Sequence, residues 1–129
     1  MEYERAHDVD VRLQDIIERG DLSHVITPRI ICMRSRGARA NAYARIWSLP
    51  HIWMKALGIS PFYVVEVLSE HFDPLSEDEK TKVLIHELLH IPKRFSGGLR
   101  PHKYHGGRVD ARAVEKVYKV YRENCSQEL

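Results

Sequence analysis

His86-Glu87-Leu88-Leu89-His90 is the stretch of this sequence whose residue types and spacing can do chemistry. On a helix, positions i and i+4 lie on one face, so the two imidazoles point the same way and can share one metal ion. Glu87 follows His86 by about 100° around such a helix. Its carboxylate then sits beside the ion without ligating it, where it can hold a water molecule and take its proton as a general base. Zinc is the ion expected, because imidazole nitrogen suits it and because three protein ligands plus water is its usual hydrolytic arrangement. A chain of this composition would show HExxH by chance only about 0.04 times. A charged Glu inside an apolar helix would also be costly without a task.

A third ligand has to come from elsewhere, and the segment 92–107 offers His102 and His105. Pro101 stiffens the approach to His102, whereas Gly106-Gly107 loosens the chain after His105, so a pre-set backbone favours His102 and leaves His105 as the alternative. A metzincin site would need Gly at position 93 and His at position 96; Lys93 and Ser96 stand there and exclude it. A gluzincin site would use a Glu on the next helix, and Glu115 is available, although it pairs more simply with Lys119 at i+4. Tyr104, Arg100 and the spare histidine are candidates to bind the oxyanion that forms as water attacks. A deformylase site would need a compact cysteine motif upstream, which is absent.

The elements that must position these groups follow from periodicity. Val9, Leu13, Ile16 and Ile17 recur at helical spacing before Gly20 and predict an amphipathic first helix over 8–19. Segments 29–34 and 42–47 read as short strands that pair as a hairpin, a short helix follows Pro50 and stops at Gly58, and 62–68 is the clearest strand. A turn is expected at 70–74. Ser76 with Glu79 three residues on is a capping box, so the motif helix starts at Glu77 and runs to about Ile91, before Pro92. Because 83–91 is apolar nearly all round, that helix belongs in the middle of the domain. A last helix begins near Asp110, with Val114, Val117, Tyr118 and Tyr121 at i, i+3, i+4 and i+7.

The 129 residues carry 20 Lys+Arg against 18 Asp+Glu and are 43% hydrophobic. This is the composition of one globular domain spanning 1–129, not of a disordered chain, and the helices and strands read above make it α+β. Cys32 and Cys125 form no ligand motif and are expected to be free thiols. Apolar runs fall short of a membrane span and the start is too acidic for a signal peptide, so a cytoplasmic protein without a membrane partner is expected. Arg29, Arg34, Arg36, Arg39 and Arg45, with Tyr43 and Trp47 nearby, give weak support for nucleic acid; a strand edge blunted by charge explains them more simply. His7, His24, His51 and His71 read as surface or turn residues.

The run from Lys82 to Pro92, followed by Phe95-Ser96-Gly97-Gly98-Leu99-Arg100-Pro101-His102, resembles the archaeal and phage metallopeptidase family, small zincin-like proteins distantly similar to SprT and Spartan. Leu49-Pro50, Trp53, Tyr63-Val64-Val65-Glu66-Val67 and Leu75-Ser76 fit the same pattern, so the resemblance covers about residues 45 to 121. It implies a minimal zincin fold: a backing helix, a small mixed sheet, the motif helix and a loop that supplies the third histidine. It also implies an edge strand, before the Ser76 helix, that pairs with an extended peptide substrate. SprT-like proteins place their third histidine in a His-Gly pair, which would match His105-Gly106. The expected activity is zinc-dependent hydrolysis of peptide bonds in a peptide or protein substrate, with His86, His90 and His102 as ligands and Glu87 as base. Two alternatives stand beside it: a DNA-associated protease, and a non-catalytic zinc-stabilised module that closes its site with His105.

Overall fold

The computed structural model describes residues 1–95, 97–104 and 107–127. Four strands, β1 (Glu2–Arg5), β2 (Ile30–Arg36), β3 (Ala44–Ser48) and β4 (Tyr63–Leu68), form one sheet in the order β1-β2-β4-β3. β1 runs antiparallel to β2, β2 parallel to β4, and β3 antiparallel to β4, so the sheet is mixed. Tyr63, Val65 and Val67 alternate onto one face and are fully buried there. Against that face pack three helices, α1 (His7–Arg19), α4 (Glu77–Leu89) and α5 (Ala111–Ser126). Two shorter helices, α2 (His51–Leu57) and α3 (Ser69–Phe72), flank β4 in the chain, and a two-residue hairpin, β5 (Lys103–Tyr104) with β6 (Gly107–Arg108), precedes α5.

The hairpin expected between the strands near 29–34 and 42–47 does not form. β4 lies between them and pairs with both. The reason is burial: β4 is the most apolar strand and is sheltered along nearly its whole length. At an edge it would leave a row of peptide groups without partners beside the core. Of the turn expected at 70–74, residues 70–72 belong to the short helix α3 and the turn itself is confined to 73–74, and the polar start of the chain is an edge strand that pairs with β2.

Helix α4 starts as expected. Ser76 accepts from the Glu79 amide and Glu79 accepts from the Ser76 amide, each at 3.2 Å. Thr81, Leu84, Ile85, Glu87 and Leu88 are buried along it, which fixes its rotation about its axis. At the start of α5, Asp110 accepts from the Ala113 amide. Both cysteines are free, with Cys32 in the core of β2.

The arginine run is largely matched by the chain's own acids. Arg34 bonds Asp8 at 2.9 Å and Asp73 at 3.1 Å, Arg36 bonds Glu4 at 2.9 Å, and Arg45 bonds Glu66 at 2.8 Å. Arg29 lies over the Phe62 ring. No helix among the described residues is long and apolar enough to cross a membrane.

Candidate metal centre

The burial pattern that rotates α4 into the core also sets where its histidines face. His86 and His90, one turn apart, have ring centroids 5.1 Å apart and Nε2 atoms 3.3 Å apart. His102 arrives from the far end of the loop after α4, with its ring centroid 5.3 Å from that of His86 and 4.8 Å from that of His90. One nitrogen from each ring lies within 4.8 Å of the other two. His90 is buried, His86 half-buried and His102 exposed. Two neutral imidazoles facing Nε2 to Nε2 can share at most one hydrogen bond, and a third aimed at the same point has nothing to donate to. The donor set is therefore one that a cation satisfies and the protein alone does not.

The chain also fixes which nitrogen of His90 is available. Its Nδ1 bonds the Arg100 carbonyl oxygen, so the proton resides on Nδ1 and the Nε2 lone pair is left facing His86 and His102. The Arg100 amide in turn donates to the His90 carbonyl at 2.6 Å, which ties the loop to the last turn of α4 in both directions. Burial lowers the pKa of His86 and the neighbouring His90 and His102 lower it further, keeping its ring neutral as a ligand must be.

The loop is held from below as well. The Tyr63 hydroxyl accepts from the Gly97 amide at 3.0 Å and donates to the Gly98 carbonyl at 2.8 Å. Gly97 has φ +97°, a left-handed backbone conformation that favours glycine, and Met54 Cε would have to give way to a Cβ placed there. Further along, the Arg100 guanidinium stacks on Tyr104 and donates to its hydroxyl at 3.1 Å. Two of the three oxyanion candidates thus engage each other. The sequence does not announce the Arg100 carbonyl, which is a main-chain group, or the role of the Tyr63 hydroxyl, which acts on a loop more than thirty residues away.

Glu87 is 7% exposed, and burial alone pushes its carboxyl up to about 8. A group titrating there can both accept and return a proton near neutral pH. Glu115, the other carboxylate weighed as a ligand, bonds Lys82 Nζ at 2.7 Å across to α4 and stands apart from the three histidines; its partner is not Lys119. His105 lies outside the described residues. His24, read as a surface or turn residue, lies in a turn and is half-buried, with burial lowering its pKa beside the Ile91 backbone.

β3 borders the site. Leu68 N–H donates to Tyr43 C=O at 3.0 Å, so Tyr43, Arg45 and Trp47 turn their peptide groups toward β4, and those of Ala44, Ile46 and Ser48 face the free edge of the sheet. Ala44 shares a cavity wall with His86 and Glu87.

An α+β domain whose buried HExxH helix brings three imidazoles together next to a sheltered carboxylate defines a metalloprotein of the zincin type. The sequence profile of a family described as "Putative phage metallopeptidase" matches residues 1–123, and the chain belongs to that family of metal-dependent peptidases. The match carries the phage part of the resemblance and not the SprT part. No curated protein and no solved structure matches the chain.

Proposed function

We propose that this chain is a zinc-dependent peptidase in which His86, His90 and His102 hold the metal and Glu87 is the general base. The observation that carries the reading is the convergence of three imidazole nitrogens beside a buried carboxylate that has no cationic partner among the described residues. When bound at such a site, zinc lowers the pKa of water toward about 7 and polarises a carbonyl. Glu87 takes the proton as the oxygen of water bonds to the scissile carbonyl carbon. It then returns that proton to the leaving nitrogen as the C–N bond breaks, giving an amine and a carboxylic acid, whose own proton passes on to the amine or to water. Arg100 contributes through its carbonyl, which holds His90 in the ligating tautomer.

The substrate in this reading is an extended peptide segment that adds to the sheet at β3, using the outward peptide groups of Ala44 and Ile46. A purely structural zinc site closes with a fourth protein ligand. Among the described residues no further Cys, His, Asp or Glu joins the three histidines, and His102 is exposed, which favours an open hydrolytic position. The test is digestion of unfolded casein by the zinc-loaded protein, with zinc content measured in parallel. Glu87→Gln retains zinc and loses turnover; His86→Ala loses both. Retained proteolysis in Glu87→Gln would sink the assignment of the base, and X-ray absorption showing four protein ligands without water would make the centre structural.

A further inference from the structure

Helix α2 stands out from the body of the protein. Of residues 50–60 only Met54 is buried, and it anchors the helix against Gly97, with Pro61 alongside. At about 100° per residue, the direction opposite Met54 falls between Ile52 and Ala56, with Trp53 on one flank and Lys55 on the other. Ile52 is 76% exposed, Trp53 57% and Leu57 59%, and Ile59 is exposed just past the left-handed Gly58. A helix whose outermost pole is aliphatic belongs under cover, and no other element among the described residues supplies it.

The charge around this helix is of one sign. No Asp or Glu occurs in 22–65 or in 88–109. The two stretches meet at this end of the fold, because Ile30 and Ser48 both pair with Tyr63, whose hydroxyl holds Gly97 and Gly98. The cations here are Lys55 on α2 itself, Arg29 over the Phe62 ring, and the exposed Lys93, Arg94 and Lys103 before and after the metal loop's glycines. Ion pairs among the described residues use none of the five, in contrast to Arg34, Arg36 and Arg45. An apolar tip among unmatched cations complements a surface that is anionic outside and apolar beneath, which is what acidic phospholipids present. Nucleic-acid bases stack on aromatic faces, whereas the pole here is Ile52, with Trp53 to the side. A two-fold contact between copies would set the same cations against each other.

We propose that this end of the chain docks on an anionic phospholipid surface, with Ile52 entering the acyl boundary, Trp53 and Leu57 at headgroup level and Lys55 reaching back to the phosphates. The expectation of no membrane partner rested on the want of a span, and a helix lying in the interface needs none. One short helix inserts shallowly, so binding draws on apolar burial and on attraction of the basic groups together, and it is reversible and weakened by salt. Met54 ties α2 to Gly97, so the docked end is the one that carries the loop leading to His102.

The test is co-sedimentation of the full chain with vesicles of phosphatidylcholine alone and of phosphatidylcholine with about one third phosphatidylserine, at low and high salt. The chain should pellet with the acidic vesicles only, less so at high salt, and its tryptophan emission should shift to the blue on binding; Trp53→Phe should abolish that shift. Ile52→Asp, at an exposed position outside the core, should weaken binding by about tenfold or more. Lys55→Gln should weaken it by about fivefold, and the melting temperature of both variants should match the wild type. Failure of the wild type to pellet with acidic vesicles overturns the proposal, as does equal binding by Ile52→Asp. Sedimentation velocity and titration with a fluorescent single-stranded oligonucleotide read the other occupants. A dimer or a nucleic-acid complex that Ile52→Asp disrupts would assign the face to that partner and overturn lipid docking. No readout involves hydrolysis, so failure here leaves the peptidase reading standing.

Discussion

Replacing Tyr63 by Phe removes one oxygen atom, and the structure says what that atom does. Tyr63 is fully buried, and its ring packs edge-on against Phe95 with centroids 4.9 Å apart, a contact that Phe preserves. Its hydroxyl satisfies Gly97 N–H and Gly98 C=O, both in the loop that leads to His102. Gly98 is exposed and can turn its carbonyl to water, but Gly97 is buried, so its amide is the group left without a partner. Stranding one buried amide costs about 1–3 kcal/mol. Neither lost bond joins the sheet to a helix of the core, so the cost falls on docking of the loop. Where metal binding must dock that loop, 1–3 kcal/mol corresponds to an affinity weakened by about 5- to 150-fold. The assay is competition for zinc against a fluorescent indicator, with circular dichroism to verify that the helices remain. Unchanged zinc affinity accompanied by a lower melting temperature would refute the reasoning, because Tyr63 would then support the core and not the ligand loop.

Two further outcomes follow from the charges and the ligands. Burial raises the pKa of Glu66, but hydrogen bonds from Arg45 and Trp47, together with the Arg45 charge, outweigh it and hold the carboxyl below its usual 4.5. A depressed folded pKa gives stability that is fully present above the unfolded value and is lost as pH falls through the folded one. The melting temperature of the wild type should therefore drop below about pH 4.5, and Glu66→Gln should be less stable at pH 7 with a shallower acid slope; parallel curves would remove Glu66 from the acid transition. Zinc removal should destabilise the fold, since a ligand held at 100 times its dissociation constant contributes about 2.7 kcal/mol. Thermal denaturation with and without a chelator reads this directly, and coincident transitions would mean that the three histidines hold no metal.

What could be read before the structure was known is what lies in local side-chain pattern. The capping box at Ser76, the apolar surround of residues 83–91 and the i, i+4 histidines belong to one short stretch, and α4 emerged with its start and its buried face as expected. The sheet order could not be read this way. Segments near 29–34 and 42–47 satisfy a hairpin pattern on their own, and only competition with β4 for the central position separates them. The Glu2–Arg5 strand is exposed at all four residues, so it carries no apolar alternation to detect, and its stability comes from pairing with β2. Glu115 showed the limit of counting along one helix: i+4 offered Lys119, while the fold offered Lys82 from α4. Pro101 pointed to His102, and the fold does bring that ring to His86 and His90. The Tyr63 hydroxyl and the Arg100 carbonyl had no such signal, being a distant contact and a main-chain atom.

That main-chain atom has a consequence for how the site tolerates change. Because His90 is oriented by the carbonyl of residue 100 and not by its side chain, the tautomer that frees Nε2 is indifferent to what residue 100 is. An alanine scan would pass over this support without a mark. The one natural substitution able to break the lock is proline, which deletes the amide that answers the His90 carbonyl. A change of side chain at position 100 would forfeit the contact with Tyr104 and leave the carbonyl that aims His90 in place, so the two supports of the loop can be lost separately.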